Sequence, residues 1–345
     1  MKILITPQFG IGDALMTTPA IKLLKEYKPD FEIHVLTMKK AIYDLFLKNP
    51  YIDQLIYFPL LKKNKLEILK FILTTISFKY DCVINFYPSN RAAYNIFALL
   101  TFAKKRIGHS YLHSNLTQLN FLKNYRPMEL NALHCVEENV RLLEFFGIKL
   151  KRTQIPEMLV MLSTEEIKKA QNYLNQFPTP RIGIHTGSST FKNHRYKRWP
   201  KEYFLEVINN LSNYQFFLFG TDEEKIENDF IFKNRLYDNV TMVKTKNIRE
   251  TAAIIKGLDL FVSNDSGLMH LSAAVGTKTI GIFGPTNPVW VKPWGKQNAI
   301  VKPEIPCSPC FVYSPKPLVC KNYHKWACLK KLDPQIVLHT IEKVL

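Results

Sequence analysis

Short apolar runs, each followed by a longer stretch of helical periodicity, recur along almost the whole chain. This alternation constrains the fold more than any other feature. A strand that reaches the next strand through a helix must return parallel to it, and the helices then cover both faces of the sheet. Strand-like runs lie at 2–6, 32–37, 54–58, 82–86 and 106–108, with helices at 14–27, 66–78 and 135–146 between them. The pattern then restarts. Ser163 and Glu166 spell a capping box opening a helix that runs to about Gln176, and Pro178 and Pro180 interrupt the chain. Further strands are read at 181–185, 216–220, 240–243, 260–263 and 279–283, with helices at 201–211, 249–256 and 266–275. With 345 residues, 46% of them hydrophobic, the chain can build two cores. The expected fold class is α/β: two doubly wound Rossmann-like domains, 1–175 and 181–330, facing a central cleft. A last helix within 331–345 is expected to pack back on the first domain.

Ligands of such sheets bind at the carboxyl ends of the strands. Five of these ends carry suggestive residues. The first strand leads into Gly10, Gly12 and Asp13, where glycines permit a tight turn and a helix begins at once. Taken alone, Asp13 also suits any helix start. The strand at 260–263 leads into Asn264, Asp265, Ser266, Gly267 and His270, a helix start that can present N–H groups and an imidazole to a diphosphate. Asp265 and Ser266 would equally serve as plain caps, and His270 as a core residue. After the strand at 181–185 come Gly187, Ser188 and Ser189, then Lys197, which suits a leaving diphosphate. Gly220 precedes Asp222 and Glu223, carboxylates placed to accept from ribose hydroxyls. Gly284, Pro285 and Thr286 close the last strand with another glycine turn.

The formal charge of +18 is shared evenly between the two halves, so no basic tail is present and no nucleic-acid module is spelled. A non-catalytic, basic nucleic-acid-binding protein remains the alternative outside enzymes; it would leave the ordered strand-end motifs without purpose. No secretory leader is visible after Met1, and no run of about 18 apolar residues could span a membrane. A cytoplasmic protein is expected, with peripheral contact to an anionic inner-membrane face suggested by Lys62, Lys63 and Lys65 before one apolar helix and Lys104, Lys105 and Arg106 after another. Cys307, Cys310, Cys320 and Cys328 cluster. Four thiolates at this spacing could hold zinc, although the second pair is wider than in a standard zinc ribbon; disulfides and free thiols are the other readings.

Together these segments resemble glycosyltransferase family 9, the lipopolysaccharide heptosyltransferases. The resemblance is carried in order by the segment from Gly10 to Ala20, by Lys197-Arg198-Trp199-Pro200, by Asn264 to His270 and by Phe283-Gly284-Pro285-Thr286, and it spans roughly residues 1–330. It implies a GT-B architecture, no catalytic metal and no cofactor beyond the donor. It also implies an inverting transfer, most simply of heptose from ADP-heptose, onto a phosphorylated glycolipid or glycan acceptor of the lipopolysaccharide core. The general base of the family matches Asp13, with Gly10 and Gly12 in its loop. The donor contacts match Ser188, Ser189, Lys197, Ser266, Gly267 and His270, with Asp265 organising the loop. The ribose contact matches Glu223, with Asp222 as runner-up. An insertion, 190–196, separates the serines from Lys197 and departs from the family pattern. Transfer from another nucleotide sugar, or epimerisation of one, are the alternatives within the same architecture.

Overall fold

The computed structural model describes residues 1–112, 114–313 and 316–345; the side chain of Leu61 is also outside the description. The chain divides into two compact units, Met1–Met161 and Leu162–Leu345.

The first unit contains a parallel sheet of five strands, β1 (Lys2–Ile5), β2 (Glu32–Thr37), β3 (Gln54–Tyr57), β4 (Cys82–Asn85) and β5 (Lys105–Gly108). Their order is β3-β2-β1-β4-β5. Ile3, Leu4 and Ile5 are all fully buried, as a central strand covered on both faces requires. Register is fixed by pairs such as Ile5 with Val35 on one side and with Ile84 on the other. The second unit contains a parallel sheet of six strands, β6 (Arg181–His185), β7 (Gln215–Phe219), β8 (Val240–Met242), β9 (Leu260–Asn264), β10 (Thr279–Ile282) and β11 (Ala299–Val301). Their order is β11-β10-β9-β6-β7-β8. In each sheet the strand order reverses beside the unit's first strand, between β1 and β4 and between β6 and β9. A crevice opens at such a point because the flanking crossovers leave in opposite directions.

Three sequence expectations change. The unit boundary lies at 161/162 and not at 175/181. The helix Thr164–Leu174 does start at the Ser163 capping box, but it belongs to the second unit. Arg249 donates to both oxygens of Glu166, at 2.6 and 2.7 Å, and Leu174 is buried against Gly257. The last helix, Pro334–Val344, packs on the helix Lys201–Asn210 and on β11, and its Val337, Leu338 and Ile341 are part of the second unit's core. The single helix expected at 14–27 is two, Ile11–Leu15 and Thr18–Tyr27. The Thr17 and Thr18 hydroxyls turn back to the Ala14 and Leu15 carbonyls at 2.7 Å, and Pro19 takes the start of the second helix, where its missing N–H costs nothing.

Candidate active site

In the first unit, Asp13 lies eight residues past the end of β1, in the helix that opens beside the switch point. It is the third residue of the helix Ile11–Leu15, and its carboxylate accepts from the Gly10 N–H at 3.2 Å. A Cβ at Gly10 would stand 2.7 Å from Asp13 Oδ2, so any side chain there would displace that carboxylate. Two cations that the sequence reading did not select flank this loop. Lys39, just past β2, and Arg91, in the segment after β4, lie 4.1 and 4.3 Å from the ring of Phe9. Their signal was available, because each follows the carboxyl end of a strand next to or at the reversal. Among the described residues, the buried amide of Gln8 and the hydroxyls of Tyr94 and Tyr111 have no hydrogen-bond partner. Burial raises both phenols, and the charge of Asp13 adds to the rise. Buried polar atoms left unpaired are costly, so they mark a place where a polar ligand would complete the structure.

The second unit gathers the predicted donor residues from three loops. Lys197 Nζ donates to Asp265 Oδ2 at 2.8 Å, across 68 residues of sequence. The ammonium also lies 4.3 Å from the ring of Phe311. Burial pushes the Asp265 carboxyl up, but Lys197 and the Thr286 hydroxyl more than offset this and hold it below its usual value. His270 is buried one turn into the helix Gly267–Ala274, and its Nδ1 has no partner among the described residues. Burial lowers its imidazole to about 4; Asp265 opposes the drop and Lys197 reinforces it. At neutral pH the ring is therefore uncharged and able to donate or accept one hydrogen bond.

Ser266 caps that helix, accepting from Met269 N at 3.4 Å, and its Oγ is 3.0 Å from both His185 Nδ1 and Ser263 Oγ. Ser188 donates its hydroxyl to the His194 carbonyl at 2.9 Å, and Ser189 Oγ accepts from Phe191 N at 3.2 Å. These three hydroxyls, read from sequence as phosphate contacts, are thus already engaged in shaping their loops. The insertion at 190–196 folds as a tight turn with Lys192 and Asn193 left-handed, at φ of 54° and 64°. Glu223 is exposed at the end of β7, in the short turn Asp222–Glu224.

Three residues that the sequence motifs contain, but to which no role was assigned, hold these loops in register. Arg198 pairs with Glu224 and Glu227, each at 2.9 Å, and donates to the carbonyls of Ser188 and Glu223. Asn264 accepts from Trp199 N at 2.9 Å and donates to the Thr186 carbonyl at 2.7 Å. His185, lowered to about 3 by burial and then by Arg198, joins β6 to Ser266. A sequence does not show these contacts, because the partners lie 10 to 81 positions away.

The four clustered cysteines are free thiols; Cys307 and Cys310 are exposed and Cys328 is buried. Burial raises the Cys328 thiol to about 11, and the other three cysteines add to the rise. Asn322 Nδ2 lies 3.1 Å from Cys307 Sγ, and the Trp326 N–H points at Cys320 Sγ from 3.3 Å. Among the described residues, no three His, Cys, Asp or Glu side chains are grouped to hold a metal ion.

Comparison with known proteins shows the family and the fold. The chain is 26% identical over 355 aligned positions to lipooligosaccharide heptosyltransferase 2 of Campylobacter jejuni serotype O:2, covering 100% of this chain and 98% of that one. The solved E. coli ADP-heptose lipopolysaccharide heptosyltransferase II superposes with a TM-score of 0.77 at 19% identity, over 100% and 98% of the two chains. The E. coli heptosyltransferase WaaC with ADP gives 0.72 at 19% identity over 100% of both. These two structures establish the shared fold, a pair of Rossmann-like α/β units of the GT-B kind. The model of glycosyltransferase family 9 (heptosyltransferase) matches residues 69–319, nearly three quarters of the chain. The epimerase and nucleic-acid-binding readings fall away with that match: the chain belongs to glycosyltransferase family 9, and it is a glycosyltransferase.

Proposed function

We propose that the protein transfers heptose from ADP-heptose to an anionic, lipid-borne acceptor of the lipopolysaccharide core, with inversion at the anomeric carbon. The observation that carries the donor half is the Lys197–Asp265 pair beside a neutral, buried His270 whose Nδ1 has no partner among the described residues, all at the switch point of the second sheet. A diphosphate fits there. Lys197 supplies charge, His270 a hydrogen bond, and the N–H groups at the start of the helix Gly267–Ala274 complete the clamp. Glu223 takes the ribose hydroxyls, with Asp222 beside it. On the acceptor side, Lys39 and Arg91 attract a phosphate or carboxylate, and Asp13 takes the proton of the attacking hydroxyl. That oxygen bonds to the anomeric carbon as the bond to the diphosphate oxygen breaks, and ADP leaves with the negative charge that Lys197 offsets.

Adenine is chosen over other bases because the relatives and the similarly folded structures are named for ADP-heptose or heptose transfer; no base-reading residue is assigned. The protein is expected to work at the cytoplasmic face of the inner membrane, and among the described residues no helix is long and apolar enough to cross a membrane. Thermal shift with ADP, UDP and GDP at equal concentration tests the donor. Ligand that binds only the folded state raises its stability by mass action, so ADP should protect most. Stronger protection by UDP would overturn the heptose assignment.

A further inference from the structure

We propose that the outward faces of the helices Lys65–Ser77 and Ala92–Leu100 form one docking surface for an anionic phospholipid bilayer. The two helices pack side by side in the first unit, and Phe71 stacks on Phe97 with centroids 6.1 Å apart. That contact spends one side of the first helix. At about 100° per residue, Leu66, Leu69 and Leu73 form a stripe on the opposite side. Ile96, Leu99 and Leu100 of the second helix are exposed as well, and Phe102 follows it. All seven side chains are between 39% and 74% exposed. An apolar patch of this kind on the outside of a folded unit marks a surface that meets something apolar.

The charges around the patch select the partner. Residues 92–103 carry no Asp, Glu, His, Lys or Arg, and the exposed large side chains of the second helix are all apolar. On the helical wheel Lys65 and Lys70 flank the leucine stripe, and the exposed Lys62 and Lys104 precede the first helix and follow the second in sequence; the single acid of the first helix, Glu67, is tied to Lys63 at 2.6 Å. Apolar side chains framed by cations match a layer whose surface is negative and whose interior is hydrocarbon. A second copy of the chain would set lysine against lysine, which disfavours self-association through this face. The proposal leans on the function above only in that a lipid-borne acceptor gives the enzyme a reason to sit on a bilayer.

The test uses the full chain and sedimentation with vesicles of phosphatidylcholine alone or mixed with phosphatidylglycerol. Wild type should bind the mixed vesicles and release in high salt. The variant Leu66→Gln/Leu69→Gln/Leu73→Gln, exposed positions that a helix tolerates, should partition at least about ten-fold more weakly. The variant Lys62→Gln/Lys65→Gln/Lys70→Gln should lose about five-fold per lysine, on the anionic vesicles only. ADP protection in the thermal shift, equal to that of wild type, reports that each variant is folded. If wild type ignores mixed vesicles, or the leucine variant binds them equally well, the surface is not a membrane face. If the leucine variant instead turns a dimer into a monomer by ultracentrifugation, the face is a protein interface and the proposal falls. If ADP protects no form while vesicle binding follows the pattern, the donor assignment fails and the docking surface stands.

Discussion

Replacing Lys197 separates binding from folding. Its ammonium and the Asp265 carboxylate are 2.8 Å apart, and the two side chains retain only 9% and 10% of their exposure. In Lys197→Met the carboxylate remains buried without its counter-charge. Removing one member of such a pair costs about 3 kcal/mol, more than the pair itself contributes over an uncharged substitute. For a unit of this size that corresponds to roughly 6–12 °C in melting temperature. Adding Asp265→Asn removes the stranded charge, and the double variant should recover most of the loss. ADP affinity should behave differently. A hydrogen bond to a charged group contributes about 1.5–3 kcal/mol, so both the single and the double variant should bind ADP roughly ten- to a hundred-fold more weakly. Differential scanning fluorimetry and titration calorimetry on the same preparations read the two quantities. A double variant that melts like wild type and also binds ADP like wild type would refute the reasoning, because Lys197 would then be only the partner of Asp265.

Asp13→Asn should lower turnover by about 10²–10⁴-fold while ADP affinity and melting stay close to wild type; turnover within a few-fold of wild type would remove Asp13 from the role of base. Gly10→Ala, whose new Cβ would stand 2.7 Å from Asp13 Oδ2, should displace the carboxylate and reduce turnover with ADP affinity held; unchanged turnover would show that the position of the carboxylate does not matter. Burial is the leading cause that lowers His185 to about 3, and His194 and His270 to about 4. The unfolded chain takes up these protons near pH 6.5 and the folded protein does not, so the stability present above pH 6.5 should be lost progressively as pH falls towards 4. Urea midpoints that stay flat from pH 7 to pH 4.5 would contradict this.

The strands were legible because each apolar run ends in glycine or polar residues, and the doubly wound order follows once crossovers are right-handed and short. The strand β11 escaped notice because three residues, Ala299–Val301, give no period to read. The misplaced boundary has a clear cause. Pro178 and Pro180 punctuate the chain strongly, yet the helix before them is claimed by Arg249, a contact 83 positions away. Site chemistry divides in the same way. Lys197, Asp265, Ser266 and His270 are visible in the sequence as strand-end residues, and the structure does bring them together. That Lys197 spans to Asp265, that Phe311 lies against the ammonium, and that Arg198 ties Ser188 to Glu223 depend on the sheet that carries those loops.

The position of the last helix bears on how the chain acquires its fold as it is made. The first sheet and its covering helices are complete by Met161. In the second half, the strands end with Val301, but the core they share with Phe204, Val207 and Ile208 also needs Val337, Leu338 and Ile341, and Lys278 reaches the carbonyl of Val344 at 2.7 Å. During synthesis the amino-terminal half can therefore close early, whereas the half that carries Lys197 and His270 holds an open apolar flank until the ribosome delivers residues 334–344. A chain halted just before Pro334 would contain every strand of the second sheet and still lack the wall that seals it.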